Sequence, residues 1–148
     1  MKRTRILVVD DSVTIRAMIE TILERESQMA VVGVARNADE AFALIRDTDP
    51  DVITLDIAMP GMDGMTMLDE IMHSEKPRNV IMLSSLLREG TAAEADALEH
   101  GAAACFNKAQ IVREAGRLVK LIGEVAKRKI NPLVQAPEPF CDAVPIAA

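Results

Sequence analysis

Three carboxylates, one serine and one lysine carry the chemistry that this sequence could do. Asp10 and Asp11 follow the apolar run Ile6-Leu7-Val8-Val9, and Asp56 closes a second run, Ile53-Thr54-Leu55, just before the turn-forming Pro60-Gly61. Ser84 ends Ile81-Met82-Leu83, and Lys108 follows Cys105-Phe106-Asn107. A polar residue at the end of a buried strand stands where open α/β sheets bind ligands, outside the carboxyl ends of the strands. Three carboxylates converging there would repel, and at least one would be driven toward neutrality unless a cation sat among them. An all-oxygen donor set suits a hard divalent metal. With a hydroxyl and an ammonium added, the set is a kit for phosphoryl transfer, which needs positioning and positive charge more than acid or base groups. Asp56 is the expected nucleophile, forming an acyl phosphate. A divalent ion held by Asp11 and Asp56 would bridge to the phosphoryl oxygens. Lys108 would supply a point charge and Ser84 a hydrogen bond.

The elements that must bring these residues together alternate along the chain. Apolar runs predict strands over Arg5–Val9, Met29–Ala35, Val52–Leu55, Val80–Leu83 and Ala103–Phe106. Between them lie helical patterns. One starts at Ser12, with Ile15, Met18, Ile19, Ile22 and Leu23 on one stripe. A second is capped by Asn37 and turns Ala38, Ala41, Phe42 and Ile45 inward. The others span Gly64–His73, Glu89–His100 and Ile111–Lys129. Five strands alternating with helices predict an α/β, flavodoxin-like doubly wound (βα)5 fold with a parallel five-stranded sheet. Right-handed crossovers make the order 2-1-3-4-5 a common solution, whose switch point lies between the strands that end in Asp10-Asp11 and Asp56. Residues 1–130 form the expected domain. Residues 131–148 hold four prolines and no helical period, and are expected to be an extended or disordered tail.

Bulk properties narrow the function classes. A chain of 148 residues, 49% hydrophobic and 27% charged, suits one soluble domain. The net charge of -6 argues against non-specific nucleic-acid binding. Three Phe with no Trp or Tyr make a base- or sugar-stacking platform improbable. No stretch has the length of a membrane span, and the basic start meets Asp10 too soon for a signal peptide. Cys105 and Cys141 match no metal motif, and reduced thiols in a cytoplasmic protein are expected.

The paired acids, the segment Asp56-Ile57-Ala58-Met59-Pro60-Gly61-Met62-Asp63-Gly64, the strand-end Ser84 and the strand-end Lys108 occur in one order. From Arg5 to about Lys129 the chain therefore resembles bacterial two-component response-regulator receiver domains. Val32-Gly33-Val34-Ala35, Thr54-Leu55-Asp56-Ile57 and Met82-Leu83-Ser84-Ser85 are most similar to the receiver half of chemotaxis methylesterases and to single-domain chemotaxis regulators. The resemblance implies that Asp56 accepts a phosphoryl group from a sensor histidine kinase. It implies magnesium (or manganese) on Asp11, Asp56 and the backbone carbonyl of Ala58, with Asp10 acting through water. It implies that Ser84 swings toward the phosphoryl group and resets the face of the fourth helix, fifth strand and fifth helix toward a downstream protein, as a two-state shift. The expected product is a monomeric or weakly dimeric cytoplasmic switch, not a turnover enzyme, with no nucleic-acid or membrane partner.

Departures from that pattern bear on the switch. Receivers usually carry Pro after the Lys, but Ala109 stands here. A cis Lys108–Ala109 bond would cost about 3 kcal/mol, so either the loop stores that strain or it takes another path. The aromatic switch position falls on Cys105, with Phe106 beside it. Ala58 and Leu86, where members tune phosphoryl lifetime, cannot orient a water, so a long-lived phosphorylated state is expected.

Simpler roles compete at each position. Asp10-Asp11-Ser12 suits a helix N-cap, Asp56 a turn, and the methionines from Met59 to Met67 core filling. Cys105 suits a small hydrophobe, and His73, His100 and Lys127-Arg128-Lys129 suit helix C-termini. Two other functions are the receiver fragment of a protein-glutamate methylesterase cut in its linker, and a haloacid-dehalogenase-type phosphohydrolase. The latter needs an acid two residues after the nucleophile, where Ala58 stands. A flavin-binding module would place its phosphate against Asp10-Asp11, which repel it.

Overall fold

A computed structural model describes residues 3–57, 64–84 and 92–128, with the backbone alone for 92–94. Residues 58–63 and 85–91, the tail beyond 128, and with them Ala58, Leu86 and Cys141, lie outside the described residues. The strands are β1 (Thr4–Val9), β2 (Met29–Ala35), β3 (Val52–Asp56), β4 (Asn79–Ser84) and β5 (Ala104–Asn107). The helices are α1 (Val13–Glu24), α2 (Ala38–Thr48), α3 (Gly64–Met72), α4 (Ala92–Glu99) and α5 (Ala115–Ala126). All strand pairs are parallel, in the order β2-β1-β3-β4-β5, as the alternation of elements predicts.

The sheet separates two cores. On one face Leu7, Val9, Ile53, Leu55 and Met82 pack against Ala41 of α2, Leu68 and Ile71 of α3 and Ala97 of α4. On the other, Ile6, Val8, Ile81, Leu83 and Phe106 pack against Ile19 and Leu23 of α1 and Leu118 and Ile122 of α5. Two-sided burial explains why the inner strands β1, β3 and β4 read as nearly unbroken apolar runs.

Local signals set the helix ends. Ser12 accepts the Ile15 N–H at 3.3 Å and starts α1, and Asn37 accepts the Glu40 N–H at 2.9 Å and starts α2. Asp49 ends α2 in the left-handed region at φ 52°. The last helix differs from expectation: α5 begins at Ala115, not Ile111. Asn107 accepts the Ala109 N–H at 2.8 Å and caps a short 3₁₀ turn over Lys108–Gln110. A turn-like stretch through Glu114 follows before α5 begins. The apolar period nevertheless starts at Ile111, which is fully buried without being helical.

Candidate functional site

The register brings the acids together. Val9 pairs with Leu55, so Asp10 and Asp56 each extend one residue past a matched pair on adjacent strands. Asp56 pairs with Leu83 and Leu83 with Phe106. Lys108 opens the 3₁₀ turn just past the end of β5. Ser84 closes β4 one residue beyond the partner of Asp56, and it is buried.

One carboxylate oxygen from each of Asp10, Asp11 and Asp56 lies within 4.8 Å of the other two. Asp10 is 0% exposed and Asp56 2%, whereas Asp11 opens to solvent. The Lys108 Nζ stands between the two buried acids, 2.8 Å from Asp10 Oδ2 and 3.0 Å from Asp56 Oδ2. Burial acts to lower the Lys108 pKa. Hydrogen bonds and charge from Asp10 and Asp56 outweigh it and hold the ammonium above its ordinary value.

Asp10 is fixed at every polar atom. Its N–H donates to Ala35 O at 3.0 Å, its Oδ1 accepts the Ser12 N–H at 2.9 Å, and its carbonyl accepts from Arg16 Nη1 at 2.6 Å. The helix-cap reading of this loop and the site reading therefore coexist: Ser12 caps α1 while Asp10 faces Lys108. On the other side of Asp56, Ile57 N–H donates to Leu83 O at 3.0 Å and Gly64 N–H to Ile57 O at 2.7 Å. A Cβ at Gly64 would stand 2.4 Å from the Asp56 carbonyl oxygen and 2.7 Å from Ile57 Cα, so only glycine fits the start of α3.

The donor set fits a divalent cation. Three carboxylates face one paired ammonium, leaving an excess of negative charge that a hard cation with oxygen ligands would neutralise. Asp10, Asp11 and Asp56 are the residues that would hold it. The Ala58 carbonyl expected beside them lies outside the described residues.

Of the expected switch positions, Cys105 is partly buried against the α2–α4 core, and Phe106 faces the opposite core. The Arg117 guanidinium lies over the Phe106 ring, 5.5 Å from its centroid. The Lys108–Ala109 peptide is trans, so this loop takes another path than the one proline would favour. His100 does more than meet a helix end. Its Nδ1 lies 2.6 Å from Asp69 Oδ1 on α3, and its Nε2 lies 3.3 Å from Asp96 Oδ1 on α4. Neither this pair nor the Arg16 contact has a signal in the sequence, because each depends on tertiary placement.

A family model described as the response regulator receiver domain matches residues 6–122. The chain is 42% identical over 140 residues to protein-glutamate methylesterase/protein-glutamine glutaminase 2 of Nitratidesulfovibrio vulgaris, a match covering 90% of this chain and 37% of that protein. It is 49% identical over 104 residues to the corresponding protein of Agrobacterium fabrum, covering 70% of this chain and 29% of that one. The chain thus spans about a third of the length of these relatives. Among solved structures it is similar to the response regulator domain of Thermotoga maritima CheB, with TM-score 0.81, 35% identity and coverage of 87% of this chain and 100% of that one. It is also similar to a chain of the R. sphaeroides complex between the CheA3 P1 domain and CheY6, with TM-score 0.74, 28% identity and coverage of 86% and 100%. On the sequence match and the shared fold, the chain belongs to the response regulator receiver domain family.

Proposed function

We propose that this chain is the phosphoacceptor switch of a two-component phosphorelay, with Asp56 as the acceptor and a sensor histidine kinase as the donor. The observation that carries the reading is the Lys108 ammonium held between two buried carboxylates beside a third. The Asp56 carboxylate attacks the phosphorus of a phosphohistidine. The new O–P bond forms as the P–N bond breaks, and the imidazole leaves with that bond's electron pair. Lys108 supplies fixed positive charge at the phosphoryl oxygens, and the Ser84 hydroxyl supplies a hydrogen bond. Bound magnesium or manganese would neutralise charge on the same oxygens.

The donor must rest beside this rim. A groove of about 540 Å³ between α1 and α5, lined by Val13, Ala17, Met18, Ile22, Val112 and Ala115, is the surface we assign to it. Val13 follows the acid loop directly and is 69% exposed, and Val112, shortly after Lys108, is 65% exposed. Exposed branched side chains flanking a charged site favour docking of an apolar helix face. The output face is α4–β5–α5, read by a downstream protein in the cytoplasm. Among the described residues no helix is long and apolar enough to cross a membrane.

A second reading is supported by the methylesterase relatives, of which the chain spans about a third. Residues 1–130 would then be the receiver unit of a longer methylesterase, with 131–148 as linker. The length of the natural gene product separates the two readings. The phosphoacceptor role itself is tested by incubation with acetyl phosphate and magnesium followed by intact mass. The wild type gains one phosphoryl group, and Asp56→Asn gains none. An equal gain in both would refute it.

A further inference from the structure

Asp10 is tied by two neutral groups and two cations, and only one of the cations, Lys108, touches its carboxylate. The other, Arg16, lies near the start of α1 and reaches back 2.6 Å to the Asp10 carbonyl. That contact ties the first turn of α1 back to the end of β1 across Asp11 and Ser12. Asp11 is exposed, and one of its carboxylate oxygens lies within 4.8 Å of one from each of the other two acids. We propose that Arg16 is a positioning residue for the cation site, holding the Asp10–Asp11 backbone so that both carboxylates meet Asp56; the inference rests on the metal reading above.

Positioning by Arg16 and simple electrostatics act on cation affinity with opposite signs. Arg16 carries positive charge close to an acidic cluster, so deleting that charge alone would tighten cation binding. Loss of positioning weakens it, by about tenfold or more for a group that orients a ligand from behind.

The chain contains no Trp or Tyr, so binding is read by ¹⁵N NMR on the full chain, from the Ser12 amide that donates to Asp10, during titration with magnesium alone. Arg16→Ala is expected to bind magnesium about tenfold more weakly than wild type. Arg16→Lys, whose long side chain can still bring a charged donor to the carbonyl, should recover most of the loss, and Arg16→Gln, whose amide donor is shorter and neutral, less. Should Arg16→Ala fail to fold, the order of the Lys and Gln variants decides: positioning requires Lys to bind tighter than Gln. Wild-type affinity or tighter in Arg16→Ala, or Gln binding tighter than Lys, would overturn the role of Arg16 alone. A wild type indifferent to magnesium would overturn the metal reading and this inference with it.

Discussion

The β1–β3 rim and the α4 flank are held by different forces. At the rim, Asp10 and Asp56 are buried and bridged by Lys108, and the backbone on either side is closed by hydrogen bonds to Ala35, Leu83 and Ile57. At the flank, Ala97 is the buried residue of α4 among those whose side chains are described. That helix is tied to α3 by the His100–Asp69 pair, whose side chains are 38% and 42% exposed. α5, packed on the opposite face, buries Leu118, Ile122 and Val125. A buried ion pair is costly to break, whereas a helix with little buried area can move at low cost. On the proposed function, the chemistry would sit on the more tightly held part, and α4, one element of the output face, on the less tightly held part.

The largest effect should come from breaking the rim. Lys108→Ala leaves two buried carboxylates facing a third, and the fold should lose about 3–5 kcal/mol in urea unfolding without metal. Added magnesium should return part of that loss, which would be absent if Lys108 only filled space. Gly64→Ala comes next. Its Cβ would collide with the Asp56 carbonyl, which cannot step aside, so a cost of about 3 kcal/mol and impaired phosphorylation are expected together. A variant that unfolds normally yet keeps full phosphorylation would show that β3 and α3 are less tightly joined than the rim account requires.

The smallest effect belongs to the flank and depends on pH. The hydrogen bond to Asp69 raises the His100 pKa above 6.5 against a smaller opposing effect of burial, and the charges of Asp69, Asp96 and Glu99 add to the rise. A histidine whose folded pKa is raised stabilises fully below its unfolded value of about 6.5. That contribution is lost as pH climbs through the raised folded value. Exposure limits it to about 0.5 kcal/mol. Amide exchange in α4 should therefore speed up as pH rises through this window, beyond the intrinsic rate change, and His100→Gln should abolish the excess. The initial phosphorylation rate of Asp56 should not follow it.

Much of the rim is legible in the order of the amino acids. The apolar runs locate all five strands, and the polar residue after each of four runs points to one edge, because a parallel sheet aligns its strand ends. Asn37 and Ser12 announce helix starts through their own side chains. What escapes is of another kind. The Ile111 period hides four non-helical residues, since burial alone does not distinguish a packed loop from a helix turn. The Arg16–Asp10 carbonyl contact and the His100–Asp69 pair leave no periodic trace. The resemblance to receivers leaves two paths open at Lys108–Ala109, and the trans peptide with its 3₁₀ turn is the one taken.

On the proposed function, Asp56 is the one aspartate of the rim that takes the phosphoryl group. An acyl phosphate can be trapped by borohydride, which reduces the carboxyl carbon to an alcohol and converts that aspartate to homoserine. After treatment with acetyl phosphate and magnesium, peptide mass mapping should find homoserine at position 56, dependent on the metal and absent from Asp56→Asn. Homoserine at position 10 or 11 instead, or none at any aspartate, would contradict the account.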